Sequence, residues 1–290
     1  MGKKLIIGRI PYANLFPIFY VLDHEVECSQ YTFVEGVPSR LNNMLREGEV
    51  DLSPSSSIEY LRNPGRYNII SNHSISSSGP VGSILLFSHK PIQDLEGALV
   101  FASSQSETSV TLLKIILRRF YGLSATVEAV PDPVQYGTGG APFLLIGDDA
   151  LKRQAIGNRQ GAPGKRDTNS TSKAYSPSPI ACPFIYDLGE IWYRQTGLPF
   201  VFALWIVRND IPDKKELVDR FTRDLDSAKE TALAKLPEIA RYAPISSFMT
   251  EEEILSYWKK LDYELSPEHK KGLALFDDYR KEVSQDVTSP

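Results

Sequence analysis

Short apolar runs, each followed by a Ser- or Asn-rich turn and then a helix-forming stretch, constrain the fold of this chain more than any other feature. Three of these runs are clear, at Lys4 to Ile7, Val50 to Leu52 and Leu99 to Ala102. Runs of this length predict buried β-strands. Strands that alternate with amphipathic helices predict an α/β fold on parallel sheets, and argue against a β-sandwich or a helix bundle.

The 290 residues are enough for two α/β lobes, each with its own core. We expect the first lobe at 1–88 plus 203–290 and the second at 89–202. The chain would leave the first lobe near Ser88 and return near Phe200. Two such crossings would make a two-stranded hinge, with the active site in the cleft between the lobes.

Two polar segments are predicted to be irregular. Ser71 to Ser78 reads SNHSISSS, which predicts a loop, and it runs through a Gly-Pro turn into a buried strand at Ile84 to Phe87. Residues 153–183 are rich in Gly, Pro, Ser and Lys without an apolar period, which predicts a long mobile insertion. A plain surface excursion is favoured for this insertion over a lid or a regulatory role.

The polar tips that follow predicted strands are the candidate binding groups. They lie at Asn14, at Ser55 to Ser57 and at Ser106 to Ser109. Backbone N–H groups and the positive end of a helix at such tips can hold carboxylates without Arg or Lys. The alternative for each Ser or Thr is an ordinary helix cap.

Charged residues near the strand ends leave further alternatives open. Gly147 and Asp148 follow a predicted strand at Phe143 to Ile146, where Asp148 and Asp149 suit either a metal ion or the acidic first turn of a helix. Arg9 suits either a substrate carboxylate or a structural ion pair.

Composition excludes several classes of function. The net charge of −4 gives no field for nucleic acid or an acidic membrane, so we expect a small-molecule partner, no nucleic acid and no membrane. Two cysteines, no signal-like segment and no apolar run of membrane length lead us to expect a cytoplasmic protein. The four histidines lack metal-ligand spacing, and we expect no metal. The sequence does not predict an oligomeric state.

Several motifs together resemble one enzyme family, the chorismate dehydratases of the futalosine route to menaquinone. These motifs are Ile7 to Pro17, Gly48 to Tyr60, Ser78 to Ser83, Gly147 to Leu151, Asp187 to Glu190 and Thr196 to Ala203. The resemblance implies a periplasmic-binding-protein-like fold of type II. It also implies loss of water from chorismate to give 3-[(1-carboxyvinyl)oxy]benzoate, without a metal or an organic cofactor, and with the substrate's own enolpyruvyl carboxylate as the proton acceptor.

The family's key Asn and Ser fall on Asn14 and Ser83, which are the expected catalytic residues. The expected substrate-binding residues are Ser55, Ser56, Ser106, Thr108, Ser109, Gly147 and Asp148. The chain departs from the family pattern at Pro11 and Ala13, and in the length of the 153–183 insertion.

Two other functions compete with the dehydratase. One is a cytoplasmic solute-binding or sensor protein for a small carboxylate, without catalysis. The other is the related enzyme later in the same pathway, which depends on a catalytic His, and no His of this chain lies in a comparable motif.

Overall fold

The computed structural model describes residues 4–161 and 182–285, which form two mixed β-sheets covered by helices. The strands in this part of the chain are β1 (Leu5–Arg9), β2 (Tyr31–Glu35), β3 (Leu52–Ser56), β4 (Tyr67–Ser77), β5 (Ile84–Ser88), β6 (Leu99–Ser103), β7 (Thr126–Val130), β8 (Phe143–Ile146), β9 (Phe184–Asp187), β10 (Phe200–Arg208) and β11 (Asp262–Glu264).

The helices include two long ones near the C-terminus, α8 and α11. The α-helices of the described residues are α1 (Phe16–Glu25), α2 (Pro38–Glu47), α3 (Ser57–Arg62), α4 (Glu107–Ile115), α5 (Val134–Gly137), α6 (Gly147–Gly161), α7 (Leu188–Thr196), α8 (Lys215–Ala234), α9 (Leu236–Ile239), α10 (Glu251–Trp258) and α11 (Pro267–Gln285). None of them combines the length and the apolar composition that crossing a membrane requires.

The two sheets define two α/β lobes. The first sheet has the order β11-β4-β10-β3-β1-β2 and the second has the order β7-β6-β8-β5-β9. Strands linked through helices are parallel, as expected, in the pairs β1 with β2 and β6 with β7. Purely parallel sheets were a wrong expectation, because β10 is antiparallel to β3 and β4, and β5 is antiparallel to β8 and β9.

The sheet pairing differs from the expected lobe limits at both crossings. Ile84–Ser88 was expected in the first lobe, yet it pairs with Phe143–Ile146 in the second sheet. Phe200 was expected in the second lobe, yet it pairs with Ser77 in the first sheet. We therefore propose that the chain crosses within 78–83 and within 197–199. The expected lobe limit at 88/89 falls after the end of β5, and the expected limit at 202/203 falls inside β10.

The serine-rich segment at Ser71 to Ser78 is strand and not loop. Most of it lies in β4, between β10 and β11, and the side chains from His73 to Ser77 are buried. Its hydroxyls find partners inside the fold: Ser74 Oγ and Ser76 Oγ are hydrogen-bonded at 2.6 Å, and Ser77 Oγ donates to Gly79 O at 2.9 Å. Pairing on both edges of the strand overrides the loop preference of serine.

The first part of the segment that was predicted to be an insertion is helical. Helix α6 continues to Gly161, so the prediction of a loop is wrong for 153–161. Residues 162–181 lie outside the described part of the chain.

The C-terminal helices pack on rings from both lobes. The ring centroid of Trp192 on α7 lies 5.1 Å from that of Phe200 on β10 and 6.3 Å from that of Phe276 on α11. Helix α10 begins with a capping box, in which Thr250 and Glu253 bond reciprocally. This helix carries side chains from the first lobe's C-terminal segment to the cleft.

Candidate active site

A small cavity lies in the cleft, where polar tips of both lobes meet. Its polar lining consists of Tyr12, Asn14, Ser56, Ser83, Ser106 and Ser109, and Gly147 contributes backbone. Aliphatic and aromatic side chains such as Ile75, Ile146 and Phe202 complete the walls. Six of the nine predicted site residues therefore lie around one space.

The cavity is small. Its volume is about 60 Å³, whereas small-molecule sites usually enclose roughly 300–1,000 Å³. Hydrogen bonds join the lobes around it, among them those from Ser39 N to Gln105 O at 3.2 Å, from Ala13 N to Asp148 Oδ1 at 2.9 Å and from Ile58 N to Thr108 Oγ1 at 3.2 Å. A ligand of ordinary small-molecule size does not fit the cavity at this volume.

A larger groove lies beside the cavity, between α2, α3 and α4. Its volume is about 1020 Å³, and Arg46, Arg62 and Lys114 are among the residues that line it. None of the nine predicted site residues is in its described lining. We place the candidate site in the smaller cavity because that cavity collects polar groups from both lobes.

Ser83 ends a tight turn that Asp187 holds in place. The Asp187 carboxylate accepts hydrogen bonds from Val81 N at 3.0 Å and Gly82 N at 2.6 Å. It also caps α7 by accepting from Gly189 N at 2.9 Å and Glu190 N at 3.1 Å. Burial raises the pKa of this carboxyl group, and the four N–H donors oppose that shift. Gly82 has φ +77°, a conformation that favours glycine.

The side chain of Ser83 is buried beneath the C-terminal segment, with 2% of it exposed. Its hydroxyl oxygen accepts a hydrogen bond from Tyr257 Oη at 3.2 Å. Its carbonyl oxygen accepts from Gly147 N at 2.8 Å, which ties the turn to the start of α6. Backbone and side chain of Ser83 are thus both fixed by neighbours.

The turn that carries Asn14 is held through its backbone. Tyr263 Oη donates to Asn14 O at 2.7 Å, and Trp258 Nε1 donates to Ala13 O at 2.8 Å. The amide oxygen Oδ1 of Asn14 is buried and has no hydrogen-bond partner among the described residues. Because an unpaired buried acceptor is costly, this oxygen is suited to a donor that a ligand supplies.

Asp148 lies behind the Asn14 turn and is not among the residues that line the cavity. Its Oδ1 accepts from Ala13 N, and burial, followed by the nearby Asp149 carboxylate, raises its pKa. The structure therefore places it as a support for the turn and not as a group that faces the cavity. Gly147 does face the cavity, where it has φ +57° and the Tyr12 ring lies 3.0 Å from the position of a Cβ.

The remaining predicted residues divide into two groups. Ser56, Ser106 and Ser109 line the cavity; Ser106 also caps α4, with its Oγ accepting from Ser109 N at 3.3 Å. Ser55 and Thr108 do not line it. Side chains alternate along β3, so Ser55 lies on the other face from Ser56, and the Thr108 hydroxyl is already bonded to Ile58 N.

Sequence reasoning missed the residues that support or flank the tips. Tyr12 lies in the cavity wall and its hydroxyl donates to Gln105 of the other lobe. Asp187 carried a signal, since an Asp just before a helix predicts an N-cap. No local sequence pattern indicated Tyr257, because it lies 174 residues from its partner Ser83.

Arg9 forms a bidentate ion pair with Asp23, at 3.0 and 2.7 Å. Of the two alternatives for Arg9, the structure shows the structural ion pair.

Within residues 4–161 and 182–285, no three His, Cys, Asp or Glu side chains are grouped so that they could hold a metal ion. His73 lies against Asp226 at 2.6 Å and His269 against Asp262 at 3.0 Å, both away from the cavity lining. The polar groups at the cavity are hydroxyls, an amide and backbone N–H groups, which can hold and orient an anion.

Comparison with solved structures confirms the expected periplasmic-binding-protein-like fold. The chain is similar to protein AF1704 from Archaeoglobus fulgidus, with a TM-score of 0.71 and 16% identity over 98% of this chain and 97% of that one. It is also similar to the periplasmic aliphatic sulphonate binding protein SsuA from Escherichia coli, with a TM-score of 0.63 and 12% identity over 100% and 94% of the two chains.

Comparison of sequences confirms the resemblance seen in the motifs. The chain is 31% identical over 238 residues to the chorismate dehydratase of Thermus thermophilus, and the match covers 82% of this chain and 81% of that enzyme. A family model described as menaquinone biosynthesis matches residues 5–282. Since that match spans nearly all of the sequence, the chain belongs to the menaquinone biosynthesis family.

Proposed function

We propose that this protein is a chorismate dehydratase, which removes water from chorismate and releases 3-[(1-carboxyvinyl)oxy]benzoate. The observation that carries the proposal is the meeting of Asn14 and Ser83 in one interlobe cavity. Family membership and the dehydratase relative support it independently.

The proposed reaction is a redox-neutral elimination. The C–H bond at the ring carbon that bears the enolpyruvyl ether breaks, and its proton goes to the enolpyruvyl carboxylate of the same molecule. The electron pair of that bond forms a new ring double bond. Hydroxide leaves the neighbouring carbon and, with the released proton, makes water. Formation of the aromatic ring drives the step.

The protein's part in this reaction is to hold one conformer and to stabilise charge. Asn14 would accept from the ring hydroxyl or donate to the departing oxygen, and Ser83 would donate to the enolpyruvyl carboxylate. Well-oriented groups that exclude water lower a barrier by several kcal/mol without a protein base. The proposed reaction needs no protein base, and this agrees with a cavity whose polar lining consists of hydroxyl and amide groups.

The second carboxylate of the substrate is assigned to the helix tips. Ser106 and Ser109 lie at the start of α4, where free N–H groups and the helix dipole favour an anion. Ser56 faces the same space from the first lobe. We propose these three hydroxyls as the binding site for the ring carboxylate.

We also propose that the enzyme is located in the cytoplasm.

The competing proposal is a binding protein without catalysis, which the similarity to a sulphonate-binding protein favours. Purified protein incubated with chorismate separates the two when the mixture is followed by mass spectrometry. Loss of water supports the dehydratase. If chorismate binds and remains intact, the dehydratase function is rejected and the solute-binding or sensor function is supported.

Site assignment is tested by Ser83→Ala and Asn14→Ala. Each variant is expected to lower kcat at least tenfold, about 1.4 kcal/mol of barrier, while the protein stays folded. The matched control is Ser88→Ala: Ser88 is also buried, lies at the far end of β5 and donates to Lys90 O. Near-normal rates in both site variants would remove Asn14 and Ser83 from the catalytic machinery.

A further inference from the structure

Tyr257 is the side chain that contacts the Ser83 hydroxyl from outside the cavity. It lies near the end of α10, and 3% of it is exposed. Its ring packs over the turn before Ser83, with Cδ2 3.4 Å from the position of a Cβ on Gly82. Its Oη is 3.2 Å from Ser83 Oγ. Tyr257 therefore contacts this turn through both its ring and its hydroxyl, and the hydroxyl distance is long for an O–H···O hydrogen bond.

The direction of this hydrogen bond decides what Ser83 can offer a ligand. A serine hydroxyl has one proton to donate and two lone pairs that accept. When Tyr257 donates to Ser83 Oγ, one lone pair is used and the Ser83 proton remains available. Among residues 4–161 and 182–285, no protein acceptor for that proton is recorded, and Ser83 lines the cavity.

The environment keeps Tyr257 in its donor form. Burial raises the pKa of its phenol, and the carboxylates of Asp148 and Asp187 raise it further. The hydrogen bond to Ser83 acts in the opposite sense and does not cancel these effects. The phenol therefore holds its proton at neutral pH.

We propose that Tyr257 is a positioning residue, which donates to Ser83 Oγ and so directs the Ser83 proton toward a carboxylate of the bound substrate. This inference rests on the proposed dehydratase function. It assigns Tyr257 no contact with the substrate, so its whole effect passes through Ser83.

The contrast with Asn14 supports the assignment. Tyr263 and Trp258, from the same C-terminal segment, donate to backbone carbonyls at Asn14 and Ala13. They fix where the Asn14 turn lies and leave its amide oxygen without a hydrogen-bond partner among the described residues. Tyr257 instead contacts the functional oxygen of Ser83 itself, which is what orientation of a hydroxyl requires.

A double-mutant cycle tests the proposal with Tyr257→Phe, Ser83→Ala and the combined variant. Tyr257→Phe is expected to lower kcat about fivefold to tenfold with KM changed less than about twofold. In the Ser83→Ala background the same change is expected to alter kcat less than about twofold. The control is Tyr67→Phe, since Tyr67 is also 3% exposed and donates to Glu59 at 2.8 Å away from the cavity.

Two results would overturn the proposal. One is an equal loss of kcat in both backgrounds, which would show that Tyr257 acts independently of Ser83. The other is a folded Tyr257→Phe with wild-type kcat. If Tyr257→Phe does not fold, the thermal midpoint of Ser83→Ala decides: it should fall below that of the wild type, because Tyr257 loses its acceptor, and a wild-type midpoint rejects the contact.

Failure of the proposed function is recognised separately, as a wild-type protein that converts no chorismate. The same cycle is then measured as affinity for 3-[(1-carboxyvinyl)oxy]benzoate, which carries both carboxylates. Coupling between the two substitutions in that affinity supports the role of Tyr257, and additive effects reject it.

Discussion

The two lobes place their hydroxyl groups in opposite ways. In the first sheet, β3 and β4 carry buried serines along their length, among them Ser53, Ser55, Ser74 and Ser76. In the second sheet, the central strand β8 is wholly apolar. The polar groups of that lobe lie at junctions, in the turn before β5 and at the starts of α4 and α6.

The difference shows that the same residue type has two uses in one chain. Several strand hydroxyls of the first lobe are satisfied within the fold, as when Ser53 Oγ of β3 donates to Pro54 O at 2.9 Å. Those at second-lobe junctions face the cavity or hold the groups that do. A hydroxyl inside a strand is therefore mainly structural here, and a hydroxyl at a strand end is the better candidate for binding.

The largest expected effect concerns the second lobe's junction at Asp187. Asp187→Ala leaves four N–H groups without their acceptor, so we expect the free energy of unfolding to fall by about 3 kcal/mol. Turnover should fall as well, because the turn before Ser83 loses its anchor. Denaturant unfolding and kcat measure the two effects.

The matched carboxylate is Asp210, which is 60% exposed and pairs with Arg208. Asp210→Ala is expected to change the unfolding free energy by less than about 0.5 kcal/mol. If both variants unfold alike, the second lobe's junction at Asp187 is no more important to the fold than an exposed ion pair of the first lobe, and the comparison between lobes fails.

A smaller effect is expected from two neighbouring serines of the first lobe. Ser57→Ala removes a bonded buried hydroxyl and should lower the unfolding free energy by about 1 kcal/mol. Ser55 Oγ is buried without a partner, so Ser55→Ala should leave the unfolding free energy unchanged or raise it by up to about 1 kcal/mol. Urea unfolding of both variants measures the difference, and equal losses would contradict it.

The smallest effect is a pH dependence that arises from His73 in β4. Burial lowers the pKa of His73, which outweighs the hydrogen bond to Asp226. The unfolded state then takes up a proton before the folded state does, so the contribution of His73 to stability is present above about pH 6.5. It is lost as the pH falls from there through the folded pKa.

Urea unfolding at pH 7.5 and pH 5.5 tests this for the wild type and for His73→Gln. The wild type should lose more stability between the two values than the variant does. Parallel losses would show that His73 does not titrate differently on folding, and that the acid sensitivity of the first lobe comes from other groups.

Part of the architecture and of the cavity lining was predictable from the sequence. Alternation of strands and helices predicted the α/β class, and the apolar run at Ile84 to Phe87 predicted a strand that is present as β5. The family resemblance singled out Asn14 and Ser83, and both line one cavity. The strand and helix patterns depend on residues that are close in the sequence, and this is why they could be predicted.

Features that depend on distant partners were not predictable. Ser71 to Ser78 has the composition of a loop, and only the pairing of β4 with two other strands makes it a strand. Thr108 and Asp148 have the chemistry of binding groups, and contacts with the other lobe occupy them. Tyr257 lies too far along the chain from Ser83 for any local signal.

The bond from Ala13 N to Asp148 has a consequence for the order of events in a catalytic cycle. The turn that presents Asn14 belongs to one lobe, and the carboxylate that steadies it belongs to the other. If the lobes move apart and close during turnover, Asn14 would be fully held only in the closed arrangement, which would also exclude bulk water. An open protein would capture its ligand with an incomplete site, so that a ligand too large to allow closure would bind without being turned over.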